Sequence, residues 1–350
     1  MVQVKPNLAI IGTGSWGVTL AIHAAGSGAT VALLARTAAE AALLDERRES
    51  PRLPGVALPP GVIATADAAV LSEIPLVLLV VPAQTMRANV RAVQAVLSPD
   101  AVLVSCSKGL ELDTALRMSE VIAQEWSPGQ SGGTGRIAAL SGPNLAREIV
   151  AGKPASAVVA CPDEAGARLA QARLLSPQFR LYTQRDVIGV ELAGALKNVI
   201  ALGAGMCDGL NVGDNAKAAF MTRGLAEIAR LGKAAGAEPI TFAGLAGLGD
   251  LVATCMSPLS RNRTTGERLA RGERLEDVQC DPSLGSGQAL RQVAEGVPTT
   301  LAALALARRY GVEMPIATLM RRVLFEGLSP RDAATMLMQR DPKAEWEGIV

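Results

Sequence analysis

The stretch Leu8–Gly17, LAIIGTGSWG, decides how the first half of the chain is read. Its opening run, Leu8–Gly12 (LAIIG), fits a short strand buried on both faces. Gly12, Gly14 and Gly17 then complete G-x-G-x-x-G where the strand ends and a helix opens. In that setting the first glycine makes the tight turn. The second lets backbone approach a pyrophosphate, and the third lets the helix pack on the strand. The helix N-terminus offers unpaired N–H groups and a positive dipole end to phosphate. The motif therefore predicts a dinucleotide-binding turn. The plainer alternative, a glycine-rich turn without a ligand, is weakened by the strand–loop–helix context and by a second strand in register.

Further apolar runs follow at Val31–Ala35, Val77–Val81, Ala101–Cys106 and Ile137–Ser141, with Ser156–Ala160 and Phe179–Thr183 as extensions. Helical stretches at Gly17–Ala25, Ala38–Glu49, Thr85–Leu97 and Thr114–Glu125 alternate with them. This rhythm predicts an α/β, Rossmann-like doubly wound sheet. Glu125–Arg136, EWSPGQSGGTGR, reads as a surface loop. Beyond about Asp186 the strand-like runs stop and helical periodicity continues, so an all-α C-terminal domain is expected. Pro298–Tyr310 and Pro315–Phe325 each open on a proline suited to a helix start. The division is a dinucleotide-binding domain over residues 1–188 and a helical substrate-binding and catalytic domain over residues 189–350. The second strand ends before Arg36. An acidic residue near this place would suit a ribose 2′-hydroxyl, whereas arginine suits a 2′-phosphate, so Arg36 points toward NADP(H), with NAD also open. A solvated arginine after a strand is the bland alternative.

The bulk numbers bound the rest. A chain of 350 residues is comfortable for two domains, and 49% hydrophobic against 19% charged composition excludes a disordered protein. A net charge of +1 gives no reason to expect nucleic acid or an anionic membrane. The five scattered cysteines include no CxxC pair and suit reduced thiols in a cytoplasmic setting. The start of the chain shows no basic n-region or small-residue cleavage site, so no signal peptide is expected. Ile188–Met206 has membrane-like length, but Glu191, Lys197 and Asn198 fall inside it, which favours a buried helix without membrane insertion.

That same segment holds the strongest candidate for chemistry. Val190–Met206 reads VELAGALKNVIALGAGM. As a helix it places Lys197 on the stripe of Val190, Ala193, Gly194, Ile200, Ala201 and Ala204, which should face inward. A lysine there must be paired or working. Hydride transfer to a carbonyl needs a proton donor. The single histidine, His23, lies in the helix after the glycine loop and reads as a packed helix residue. A metal site is not expected from so few ligands. The lysines are Lys5, Lys108, Lys153, Lys197, Lys217, Lys233 and Lys343. Desolvation would lower the pKa of Lys197 toward neutrality. A structural ion pair with Asp250 or Glu191 would explain it equally well. Lys108 follows the strand AVLVSC, at the strand end where ligands bind in open α/β sheets, or is simply a turn lysine. Asp250, closing Ala243–Asp250 (AGLAGLGD), could orient a lysine ammonium or cap the next helix. Ser260–Arg263 (SRNR) could clamp a phosphate or be a solvated basic turn.

Together these stretches resemble one family, the bacterial, soluble NAD(P)-dependent glycerol-3-phosphate dehydrogenases. IGTGSWG, SCSKGLE, LSGPNLARE, ELAGALKNVIALGAGMCDGLNVGDNAKAA, FAGLAGLGDLVATCMSPLSRNRTTG and QVAEG carry it, spanning Gly12 to Gly296. The resemblance implies NAD(P)H-dependent reduction of dihydroxyacetone phosphate to sn-glycerol 3-phosphate, reversibly, feeding glycerophospholipid synthesis, in a cytoplasmic homodimer. It implies Lys197 as general acid/base, with Lys108 and Asp250 as catalytic partners. Substrate would meet Lys108, Gly142, Asn144, Lys197, Asp250, Ser260, Arg261 and Asn262. Cofactor would meet Gly12, Gly14, Ser15, Trp16, Gly17, Arg36, Lys108, Ala146, Arg261, Val293 and Glu295. Asn144 departs from the Ser or Thr of many bacterial members. Asn198 could orient a ligand or satisfy backbone. A 3-hydroxyacid dehydrogenase of the 6-phosphogluconate type shares the layout, but AGLGD and SRNR argue against it. A non-catalytic dinucleotide-binding module would not be expected to keep Lys197, Lys108 and Asp250.

Overall fold

The computed structural model describes residues 5–126, 136–281, 294–342, 344–345 and 347–349. The chain forms two compact units: Met1–Ser107 with Met118–Val187, and Lys108–Arg117 with Ile188–Val350.

The first unit is built on a sheet of eight strands: β1 (Leu8–Ile11), β2 (Val31–Leu34), β3 (Val62–Thr65), β4 (Leu76–Leu79), β5 (Val102–Ser105), β6 (Ile137–Ser141), β7 (Ala155–Ala160) and β8 (Phe179–Gln184). Their order is β3-β2-β1-β4-β5-β6-β7-β8. All neighbours are parallel except β6 and β7. Every residue of β1, β2, β4, β5 and β6 is buried, as continuous apolar runs require when helices cover both faces. The helices are α1 (Ser15–Gly26), α2 (Ala38–Arg47), α3 (Met86–Val93), α4 (Met118–Glu125), α5 (Ala146–Val150) and α6 (Glu164–Leu174). The strand order reverses between β1 and β4. This is the switch point at which open α/β sheets bind ligands, and the glycine turn leaves β1 there.

Two differences from the sequence reading have physical causes. β3 is not among the apolar runs read from sequence, because it is an edge strand with only Val62 buried. Arg48, in left-handed conformation (φ 50°) at the end of α2, anchors it by donating to the carbonyls of Pro59 (2.7 Å) and Val62 (2.9 Å). The helix expected from Thr114 begins only at Met118. Before it, Glu111 N donates to Leu116 O at 2.9 Å, Leu110 bridges Arg117, and Ala115 takes φ 54°. Residues 108–117 thus form a closed excursion that belongs to the second unit. Of the loop expected at Glu125–Arg136, residues 127–135 lie outside the described residues.

The second unit is helical: α7 (Val187–Leu210), α8 (Asp214–Ala234), α9 (Pro239–Phe242), α10 (Asp250–Met256), α11 (Arg261–Ala270), α12 (Leu275–Cys280), α13 (Gly296–Tyr310), α14 (Pro315–Phe325) and α15 (Pro330–Met338). Sequence periodicity suggests one inward stripe on α7. Instead every residue from 189 to 206 is buried, so α7 is the central helix of the unit. Glycines let its neighbours reach its backbone. A Cβ on Gly266 of α11 would lie 1.8 Å from Leu202 O, and one on Gly205 of α7 would lie 1.9 Å from Arg263 O. Val187–Leu210 and Pro239–Met256 are long and apolar enough to cross a membrane; in the first, 83% of the apolar window is buried inside the protein. Glu227 on α8 is also buried. Its carboxylate accepts from Ile316 N (2.8 Å) and Ala317 N (2.9 Å), capping α14 from outside, and burial pushes its pKa up to about 7.

Candidate functional site

In the first unit the glycine turn has the shape its sequence predicts. Gly12 sits at φ 116°, and a Cβ there would lie 2.3 Å from Val80 O. A Cβ on Gly17 would lie 2.1 Å from Gly12 O, so the third glycine closes helix against turn. Gly14 faces open space, with nothing within 4 Å of the place a Cβ would take. It precedes Ser15 at the start of α1, where no side chain caps the helix and no acidic residue enters the first turn. Trp16 packs part-buried against the sheet core. Arg36 is exposed just beyond β2. Glu40, which sequence reasoning missed, ties the two loops together. It accepts from the Thr13 hydroxyl (2.5 Å) and from Arg36 N (3.2 Å). The signal that could have found it is its place in the first turn of α2, three residues after the capping Thr37.

Beyond β6, Gly142 takes φ 145°, and a Cβ there would lie 2.9 Å from Ala157 Cα. Asn144 follows, and both its side-chain Oδ1 and Nδ2 are shielded from solvent without a hydrogen-bond partner. Orphaned amide atoms of this kind ask for a ligand. Ala146 opens α5. A cradle over glycine backbone and an unpaired amide fit a dinucleotide and its substrate. His23 is not part of this machinery: its Nε2 lies 2.7 Å from Leu174 O and its ring packs edge-on to Phe179, while desolvation lowers its pKa.

In the second unit three predicted residues meet at one point. Lys197 Nζ donates to Asp250 Oδ1 at 2.7 Å, and Lys108 Nζ donates to Asp250 Oδ2 at 2.7 Å. One carboxylate thus bridges two ammonium groups. Lys197 is only 4% exposed and Asp250 2%, so the pair is desolvated. Burial pushes the Lys197 ammonium down to about 8; Asp250 opposes that fall and Lys108 adds to it. Asp250 reaches this place because a π-helical turn, Leu245–Gly249, feeds it to the start of α10. Thr254, one turn along α10, accepts a hydrogen bond from Lys197 and donates to Asp250 Oδ1 at 3.3 Å. The i,i+4 spacing from Asp250 is the signal that could have found it. Glu191, the alternative partner for Lys197, instead pairs with Arg117 at 2.8 Å.

Beside the lysines lies an amide relay. Asn262 Nδ2 donates to Asn198 Oδ1 (2.9 Å), and Asn262 Oδ1 accepts from Gly296 N (2.9 Å). The relay joins α7, α11 and α13. Ser260 caps α11 by accepting from Arg263 N at 3.3 Å, with Arg261 the first residue of that helix. Glu295, at the head of α13, has its carboxyl raised by burial, against the fields of Arg261, Lys197 and Lys108. Val293 lies outside the described residues. Chemically, the cluster presents a lysine poised near neutrality, a fixed counter-charge and a second cation.

Comparison with known proteins accords with these features. Residues 7–167 match the family model for the NAD-dependent glycerol-3-phosphate dehydrogenase N-terminus, and residues 186–335 match that for its C-terminus. The chain is 49% identical over 344 residues to glycerol-3-phosphate dehydrogenase [NAD(P)+] of Streptomyces coelicolor, covering 97% of this chain and 99% of the relative. It is 48% identical to the enzyme of the same name from Thermobifida fusca, over 98% and 99% of the two chains. Among solved structures, glycerol-3-phosphate dehydrogenase from Coxiella burnetii superposes with a TM-score of 0.86 at 34% identity, covering 96% and 99%. The chain belongs to the NAD-dependent glycerol-3-phosphate dehydrogenase family and is an oxidoreductase.

Proposed function

We propose that this chain reduces dihydroxyacetone phosphate to sn-glycerol 3-phosphate with NAD(P)H, reversibly, and that Lys197 is the proton donor. The observation that carries the assignment is the buried Lys197–Asp250–Lys108 cluster, with Lys197 held at about 8. A nicotinamide held by the glycine turn would supply a hydride to C2 of the ketone. As charge grows on the C2 oxygen, the Lys197 ammonium stabilises it and then transfers a proton to it. Asp250 fixes the direction of that ammonium, and Lys108 adds positive charge beside it. In the reverse direction neutral Lys197 accepts the hydroxyl proton, so oxidation gains and reduction loses as pH rises through about 8.

The dinucleotide falls to Gly12, Gly14, Ser15, Trp16, Gly17 and Arg36, with Ala146, Lys108, Arg261, Val293 and Glu295 completing its contacts. The phosphorylated ketone falls to Lys108, Gly142, Asn144, Lys197, Asp250, Ser260, Arg261 and Asn262. On this reading residues 1–188 bind dinucleotide, and residues 189–350 bind substrate and carry out the chemistry. Arg36, exposed after β2, supports a preference for NADPH. A cytoplasmic homodimer without membrane insertion, supplying glycerophospholipid synthesis, completes the proposal. Steady-state oxidation of NADPH and NADH with dihydroxyacetone phosphate tests it, with Lys197→Met expected to abolish turnover. Absence of turnover with this ketone, or full activity of Lys197→Met, refutes it.

A further inference from the structure

Lys108 is not on a helix of the second unit. It begins the excursion of residues 108–117, from which its ammonium reaches Asp250. Inside the excursion, Thr114 Oγ1 donates to Glu111 Oε2 (2.6 Å) and Ala115 N donates to Glu111 O (2.8 Å). Leu110 and Ala115 are buried. Two further ties run outward to helices. Arg309 of α13 donates to Thr114 O at 2.7 Å. At the far end, opposite Leu110 in the bridge, Arg117 pairs with Glu191 of α7 at 2.8 Å. Their side chains are 15% and 4% exposed, so this pair is shielded from solvent where most surface pairs are not. Glu191 stands on the same helix as Lys197, less than two turns before it. The two ion pairs therefore pin the two ends of the excursion to the helices that carry Lys197 and Asp250.

We infer that Arg117 and Glu191 are positioning residues, which hold the excursion closed so that Lys108 shares Asp250 with Lys197. The inference rests on the proposed roles of Lys197 and Lys108. Losing the pair should move a pKa in a definite direction. The groups that face Lys197 are Asp250 and Cys255 of α10, Lys108 of the excursion and Glu295 at the head of α13. Lys108 is the cation among them and lowers the Lys197 pKa. If Lys108 drifts away, its repulsion is lost and Asp250 is left to Lys197 alone. Both changes raise the Lys197 pKa.

The test is the pH profile of kcat/KM for dihydroxyacetone phosphate in full-length Glu191→Gln, Arg117→Met and Arg117→Lys, with thermal midpoints measured alongside. Glu191→Gln and Arg117→Met are expected to lose about tenfold in kcat/KM, equivalent to about 1.4 kcal/mol. Their alkaline limb should move upward. Arg117→Lys should restore both. The double variant Arg117→Met/Glu191→Gln should behave like either single variant, because both remove one interaction. If Glu191→Gln fails to fold, Arg117→Met at the more exposed end of the pair carries the test. An unmoved alkaline limb, or kcat/KM equal to wild type, overturns the inference. Lys197→Met, run in parallel, separates the two claims. Full activity there refutes the acid assignment, whereas an inactive Lys197→Met beside an unmoved limb in the pair variants refutes only the positioning role.

Discussion

Asp250→Asn probes the centre of the site with little change in shape. The carboxylate lies 2.7 Å from both Lys197 Nζ and Lys108 Nζ, and it is the main influence holding the buried Lys197 ammonium charged against desolvation. Two unit charges about 4 Å apart attract by about 4 kcal/mol at an effective dielectric constant near 20. Removing that attraction corresponds to about 3 pKa units. Lys197, at about 8 in the wild type, would then be neutral across the physiological range. Only about one molecule in several hundred would carry the proton at about pH 7.5, so kcat/KM for reduction should fall by roughly 10²–10³-fold. Breaking a buried ion pair generally costs about 3–5 kcal/mol, which is of similar size. The deficit should shrink as pH is lowered, because acid restores the ammonium. The assay is the initial rate of NAD(P)H oxidation at low ketone concentration between about pH 5.5 and 9, an interval chosen around the wild-type value of about 8. Retention of wild-type kcat/KM within about threefold, or an alkaline limb left in its wild-type place, would refute the reasoning.

Other perturbations address separate parts of the molecule. Gly14→Ala meets nothing within 4 Å, so its thermal midpoint should match wild type while the KM for cofactor rises about tenfold or more as the methyl obstructs the phosphates. Gly266→Ala would place a Cβ 1.8 Å from Leu202 O, so α11 must lift off α7; a loss of about 3 kcal/mol or more in urea unfolding is expected. Arg36→Ala should raise the KM for NADPH about tenfold with little effect on NADH, read from parallel saturation curves. Glu227 has a carboxyl raised to about 7 by burial, so the folded state binds its proton more tightly than the unfolded state does. Its contribution is greatest below about pH 4.5 and is lost as pH rises through 7; Glu227→Gln should therefore flatten the fall in unfolding free energy between about pH 5.5 and 8.

Legibility in the sequence divides along physical lines. Strands β1, β2, β4, β5 and β6 are buried on both faces, and continuous apolar runs such as LAII and VALL can mean little else beside a glycine turn. β3 is illegible because an edge strand with one buried residue needs no such run. Lys197 stands out from local sequence alone, since a cation in an apolar helix is costly anywhere. Its partner does not: Asp250 and Glu191 are equal candidates by sequence, and helix packing gives Asp250 to the lysines and Glu191 to Arg117. The same limit applies to Asn198 and Asn262. Their relay to Gly296 spans three helices that are distant in sequence, and no spacing rule links them. Thr254 is within reach, one helical turn from Asp250, but threonine in a helix carries no charge to draw attention.

The excursion of residues 108–117 shows why long-range placement matters for the chemistry. A sequence reading puts Lys108 at the end of a sheet strand, and chain connectivity does hang it there. Its ammonium is fixed by Asp250, on a helix far along the chain, while Glu191 of another helix holds Arg117 at the far end of the same excursion. The second cation of the site is thus held by a segment that is tied to the helices at both of its ends. A buried lysine held at about 8 is sensitive to such an arrangement, because one charge moved by a few ångströms changes its protonation near neutral pH. Asp250→Asn and Glu191→Gln should consequently displace the alkaline limb in opposite directions, downward for the lost anion and upward for the displaced cation. That opposition is difficult to obtain from general loss of stability, which lowers activity without regard to the sign of the charge removed.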